Sequence, residues 1–209
     1  MSKLDRRFLL LAGAGAAALS ACSGIVGPPE APPIYVLRPP VPPAGGGARV
    51  DWQMSIVTPT APDSLDNTRI ALQYPDLTGD YYADAMWQDR LSLLVRSALI
   101  DAFQASNRFP AIGTDTDNLQ SDYLLDTDIR DFEAVYETKD TAPSVVVRLD
   151  VKVVNAHTRS IVKALNARSE VDAVANTVPA VVAAMNAALG EVLGQIVAWA
   201  SSLPPPVRS

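Results

Sequence analysis

A single cysteine, a single histidine and few aromatic residues are the shortages in these 209 residues. One cysteine excludes an intramolecular disulfide, so cysteine usage assigns no redox compartment. One histidine, His157, leaves no ordinary zinc set and no convincing Ser–His–Asp or Cys–His arrangement. Runs of basic residues are missing too: no two Lys or Arg are adjacent after Arg7, and the isoelectric point is near 4.7. Binding nucleic acid irrespective of sequence needs cations against the phosphates, so nucleic acid is not an expected partner. There is no repeat of fixed period. No Gly-rich phosphate loop is found: GAGAAALSAC has glycines, but they belong to the first 22 residues.

Those first residues, MSKLDRRFLLLAGAGAAALSAC, are informative. Lys3, Arg6 and Arg7 make a basic start, residues 8–19 carry no charge, and small residues lead into Cys22. This is the grammar of an export signal. Its apolar run, about 12 residues, falls short of the roughly 20 that a bilayer core needs. Leu19, Ser20, Ala21 and Cys22 match the bacterial lipobox, Leu-[Ala/Ser]-[Gly/Ala]-Cys. That chemistry needs an unpaired thiol. The sulfur becomes a thioether to diacylglycerol, and cleavage before it frees an amine for a third acyl chain. Two or more chains anchor a protein stably where one binds only marginally. Ser23, where an Asp would retain the protein at the inner membrane, favours the outer membrane. Arg6-Arg7-Phe8-Leu9-Leu10 resembles a twin-arginine pattern, so the Sec and twin-arginine routes both stay open. Removing residues 1–21 leaves 14 basic and 22 acidic residues, a net charge near −8. No second hydrophobic span is evident, so the expectation is a chain tethered to a membrane without crossing it.

The rest divides into a Pro-rich tether from the acylated Cys22 to residue 33, a domain over 34–203 and a Pro-rich tail over 204–209. A second Pro- and Gly-rich stretch, RPPVPPAGGGA, follows IYVL, which reads as an edge strand. Val50, Trp52, Met54 and Ile56 alternate with Asp51, Gln53 and Ser55, and RIALQY repeats that pattern; both read as half-buried strands. PDLTGD is a turn, with YYA as the return of a hairpin. Trp87, Leu91, Leu94, Val95, Ala98, Ala102 and Phe103 recur at helical spacing, predicting an amphipathic helix over about 85–106 capped by Asp84. Leu125, Thr127 and Ile129 share one parity and Phe132, Ala134 and Tyr136 the other, predicting a β-bulge near Arg130 and Asp131. Val145, Val147, Leu149, Val151 and Val153 mark the clearest strand, NAHTRS its turn, and 161–173 the return. Val182, Met185, Leu189, Val192, Leu193, Ile196 and Trp199 mark a last helix. The predicted fold class is α+β: one antiparallel-rich sheet with two amphipathic helices packed on one face.

No catalytic set emerges. His157 lies in a polar turn. Asp115-Thr116-Asp117-Asn118 lacks the Gly and terminal Glu of a calcium loop and reads as a solvated turn. Neither a metal nor a cofactor is expected. Asp126 and Asp128 share the exposed face of a strand. With the 58–68 loop, which carries Leu65 and Asp66, they make the candidate partner surface: loops carry contacts, and carboxylates attract a basic partner.

Lipobox, tether, IYVL, LDNTRIALQY, YYADAMWQDRLSLLVRSALIDAFQASNRF and the terminal amphipathic helix together resemble the ABC-type transport auxiliary lipoproteins, over about 34–200. The most specific part is 81–109, with Tyr82, Trp87, Asp89, Arg90, Leu91 and Val95. The resemblance implies an α+β domain that is not an enzyme. It implies as partners an MCE-domain protein and an MlaE-type permease with its ATPase, in a system moving phospholipids or other hydrophobic molecules across the envelope. It places the lipoprotein on the periplasmic face of the outer membrane and admits a homo-oligomeric ring. A lipoprotein that assembles or plugs an outer-membrane β-barrel is the alternative. An exported hydrolase is disfavoured by the missing nucleophile and base.

Overall fold

The computed structural model describes residues 31–41, 49–117 and 120–206. Leu19, Ser20, Ala21 and Cys22, with the rest of the leader and most of the tether, lie outside the described residues. In chain order the elements are β1 (Ile34–Tyr35), β2 (Met54–Ile56), β3 (Arg69–Gln73), β4 (Gly79–Trp87), α1 (Leu91–Ala105), β5 (Ile112–Thr114), β6 (Tyr123–Val135), β7 (Ser144–Asn155), β8 (Ile161–Asp172) and α2 (Val178–Ala200).

The alternation that marks β7 holds in three dimensions. Val145, Val147, Leu149, Val151 and Val153 are buried, and Arg148, Asp150 and Lys152 face out. β6 and β8 flank β7 in an antiparallel meander. The register of β6 against β7 slips between Ile129 and Asp131, where the change of parity placed a bulge. The bulge lets one strand bury Leu125 and Ile129 before it, and Phe132 and Ala134 after it.

The other edge of β6 is shared. β2 runs parallel to it at Tyr123–Leu125, and β3 runs parallel to it at Ala134–Val135. β5 lies beyond β2, β4 beyond β3, and β1 beyond β4. Four of the seven pairings are parallel, so the sheet is mixed rather than antiparallel-rich as expected. The cause is the long β2–β3 connection. It follows β6 along its length, with Thr60 bridged to Asp128, and so delivers two successive strands in the same direction. Periodicity reports which face a residue occupies and is blind to strand direction.

The first helix is shorter than its spacing predicted. Residues up to Trp87 form β4, which is the long return of the β3 hairpin. Trp87 is buried, edge-on to Phe132, from a strand and not from a helix. Asp84 is exposed and caps nothing. α1 and α2 pack beside each other on the inner face of the sheet, and their buried residues join those of the strands in one core. α2 is long and apolar enough to cross a bilayer, yet 67% of its apolar window is buried inside the domain.

The Pro-rich stretch after β1 is partly docked. Leu37 is buried, the N–H of Arg38 donates to Oδ1 of Asn186 at 2.5 Å, and Pro40 lies against Gly190 of α2. A Cβ on Gly190 would stand 2.7 Å from Cγ of Pro40, so only glycine admits the strap this close.

Candidate functional site

Among the described residues, no three His, Cys, Asp or Glu side chains gather as a metal set. Nε2 of His157 is 3.9 Å from Oδ1 of Asp122. The other oxygen of that carboxylate accepts from the N–H of Gln53 at 2.9 Å, which fastens the start of β2 to β6. Asp117 folds back to accept from the N–H of Thr114 at 2.6 Å, as a turn residue does.

The acidic strand face and the 58–68 loop meet. The N–H of Thr60 donates to the carbonyl of Thr127 at 2.9 Å, and the N–H of Ile129 donates to the carbonyl of Thr60 at 2.8 Å. The Thr60 hydroxyl donates to Oδ1 of Asp128, and Nζ of Lys152 lies 3.2 Å from Oδ2. The Thr60 bond, with Lys152 behind it, holds the Asp128 carboxyl below its usual range despite some burial. Asp126 is half-buried opposite Lys152. Across the outer face the charges are matched: Arg130 with Asp150 at 2.8 Å, Arg148 with Asp131 at 2.7 Å, Arg168 with Glu170 at 2.7 Å.

At the far end of the loop Leu65 is buried and Asp66 anchors α1. The N–H of Ser92 donates to Oδ1 of Asp66 at 3.1 Å, and the Arg90 guanidinium pairs with Oδ2. Burial raises the carboxyl, but the bonds from Ser92 and Arg90 outweigh it and hold the group low. The helix has no cap from its own preceding residues, so a side chain 26 positions upstream satisfies one of its free N–H groups.

Two features were not read from the sequence as sites. A cleft of about 490 Å³ opens between the strap and α1. Leu93, Leu94, Ala98 and Leu193 floor it, and Arg38, Asp89 and Asp101 stand at its rim. Gly190 in the middle of a helix was its one hint. The second feature is a tyrosine cluster at one end of the sheet. Tyr136 donates to Oδ1 of Asn176 at 2.8 Å, and its oxygen then accepts from the Tyr82 hydroxyl at 2.8 Å. Burial, reinforced by Tyr136, drives the Tyr82 phenol far above its ordinary range. Tyr74 packs on Tyr136 at 5.7 Å between ring centres, with Nζ of Lys139 4.5 Å above the Tyr74 ring.

The family model described as the ABC-type transport auxiliary lipoprotein component matches residues 35–197. The chain belongs to that family. Membership places this auxiliary lipoprotein in the cell envelope, anchored to a membrane, as a component of a transport system and not of an enzyme family. No curated protein matches. Among solved structures, protein XCC0632 from Xanthomonas campestris is 24% identical, with a TM-score of 0.74 over 80% of this chain and 94% of that one. An uncharacterised protein is 16% identical, with a TM-score of 0.63 over 82% and 99%. At these identities the likeness extends to the fold alone.

Proposed function

We propose that this auxiliary lipoprotein is the docking component of an MCE-type ABC transport system that moves phospholipids or other hydrophobic molecules across the envelope. Acylated Cys22 holds it on the periplasmic face of the outer membrane. Its partners are the MCE-domain protein and, through it, an MlaE-type permease and its ATPase. The family match over residues 35–197, behind a complete lipobox at Leu19–Cys22, carries the reading. The half-buried acidic face of β6 and the 58–68 loop, which Thr60 and Asp128 bring together, offer the partner one continuous surface.

The test is site-specific photo-crosslinking in intact cells from positions 63 and 64, on the exposed part of that loop. Adducts with an MCE-domain protein, lost when the transporter genes are deleted, are expected. Adducts only with a β-barrel protein would transfer the chain to outer-membrane assembly. Fractionation and mass spectrometry of Cys22→Ser test the anchor separately: the wild type should carry acyl chains and the variant should not.

A further inference from the structure

Three turns leave the sheet at one end. The backbone registers place Gly79, Gln73, Val135, Ser144 and Asp172 side by side across β4, β3, β6, β7 and β8. The turns 74–78, 136–143 and 173–177 therefore project together. Strands lie about 4.8 Å apart, so the outer two turns stand roughly 15–20 Å from each other. Each carries an exposed aliphatic side chain at its tip, Leu77 at 80% exposure and Val174 at 93%.

Leu77 breaks a local rule to be there. Its φ is +64°, the left-handed region that a Gly or Asn enters readily and a leucine does not. A position of this kind in a hairpin turn ordinarily holds glycine. Backbone strain of this sort persists only where the surrounding structure over-determines it, and it clusters at functional sites. Behind the two tips lie Tyr74 and Tyr82, with Lys139 over the Tyr74 ring. Aliphatic points backed by tyrosines and a lysine match the chemistry of a lipid–water boundary.

The chain path agrees. β1 runs parallel to β4, and β4 runs away from the turn end, from Gly79 to Trp87. The chain therefore enters β1 from the side of the tips. Twelve positions separate Cys22 from Ile34, a reach of up to about 40 Å. Only about 23 Å of strand separates the level of Met86, opposite Ile34, from Gly79.

Resting on the lipoprotein reading above, we infer that the end bearing Leu77 and Val174 sits on the lipid surface that holds the acylated Cys22. The domain then stands with its 156–160 turn and its C-terminal end directed away from that membrane. The lipid face is zwitterionic. Asp76, Asp80, Glu137, Asp140 and Asp172 lie in or beside the three turns, and among the described residues of those turns Lys139 is the one basic side chain, so an anionic surface repels this end. Two isolated convex points also suit insertion among headgroups better than a protein groove.

The experiment uses acylated protein in phosphatidylcholine vesicles. Cysteines introduced by Leu77→Cys, Val174→Cys or Ser160→Cys carry an environment-sensitive fluorophore, Cys22 being blocked by its lipid. Spin-labelled lipid should quench probes 77 and 174 at least threefold more than probe 160, and aqueous iodide should show the reverse order. Including 40% phosphatidylglycerol should reduce the lipid quenching. Leu77→Gly should raise the thermal midpoint of the domain while weakening the lipid quenching at 174, a split that a purely structural leucine would not give. Equal iodide access at all three positions, or stronger lipid quenching at 160, overturns the inference. So does protection of 77 that appears only when the transporter proteins are added, which would make the end a protein contact. The mass of the vesicle-bound chain reports acylation by itself. If acylation is absent, a hexahistidine in place of residues 1–22, on nickel-chelating lipid, repeats the same comparison.

Discussion

The two faces of the β6–β7–β8 meander are made from the same strands and behave oppositely. Toward the helices, Leu125, Ile129, Val147, Leu149 and Val151 have essentially no exposed surface. Toward solvent, the same strands present Asp128 with Lys152, Arg130 with Asp150, and Arg148 with Asp131. The inner face gains from removing apolar surface from water, about 25 cal/mol per Å². The outer face gains little, because exposed pairs trade one set of charge–water contacts for another. Stability should therefore reside on one side of the sheet, and charge matching on the other should govern association and solubility.

The largest expected effect comes from breaking the inner face. Leu149→Ala should lower unfolding free energy by about 2–5 kcal/mol, measured by urea denaturation. A loss under about 1 kcal/mol would mean that the two faces differ less than their burial suggests. Second is Asp66, whose carboxylate ties the loop to α1. Asp66→Ala should remove about 0.5–2 kcal/mol at pH 7, the range for a lost helix cap. The sign with pH follows from the lowered carboxyl: its stabilisation is complete above the ordinary value of 3.8 and is lost as pH falls through the lower folded value. Wild type and Asp66→Asn should thus converge in stability as pH falls through that lowered folded value; a constant gap would assign the effect to packing.

Glu133 sharpens the comparison in the other direction. Burial, and then Asp131, raise its carboxyl above the ordinary 4.5. The penalty on the folded state is complete above the raised value and disappears below 4.5. Glu133→Gln should raise the thermal midpoint slightly at pH 7 and leave it unchanged at pH 4. The smallest effect belongs to Arg130→Ala. Its pair with Asp150 is exposed, so the denaturation midpoint should stay within experimental error. A clear loss there would show that the outer lattice acts as a cooperative network.

These faces were legible in the sequence because they are written at short range. Alternation placed β7, the parity change placed the bulge, and helical spacing placed α2. The start of α1 was not legible, and the reason is specific. Trp87 falls by coincidence at helical spacing from Leu91 and Leu94, although it belongs to β4. The group that caps the helix is Asp66, from a loop 26 residues away, and no local pattern reveals it. Leu65 and Asp66, chosen from sequence as partner residues, are placed by the fold where one is buried and the other holds a helix. The strap over α2 was similarly hidden: Pro39 and Pro40 read as linker, and only their contact with Gly190 shows a seat.

By itself the sequence determined the lipobox reading, the α+β class, the strands with one buried face and the family to which the chain belongs. Each of these depends on residue identity or on a period of two or 3.6, which survives in one dimension. The tertiary structure alone decided that the sheet is mixed, that β2 and β3 share one edge of β6, that Asp66 caps α1, and that Leu77 and Val174 emerge at the same end. All four depend on the direction and neighbours of segments distant in sequence. Those are fixed by the packing of one common core, because that is what brings residues far apart along the chain into hydrogen-bonding distance.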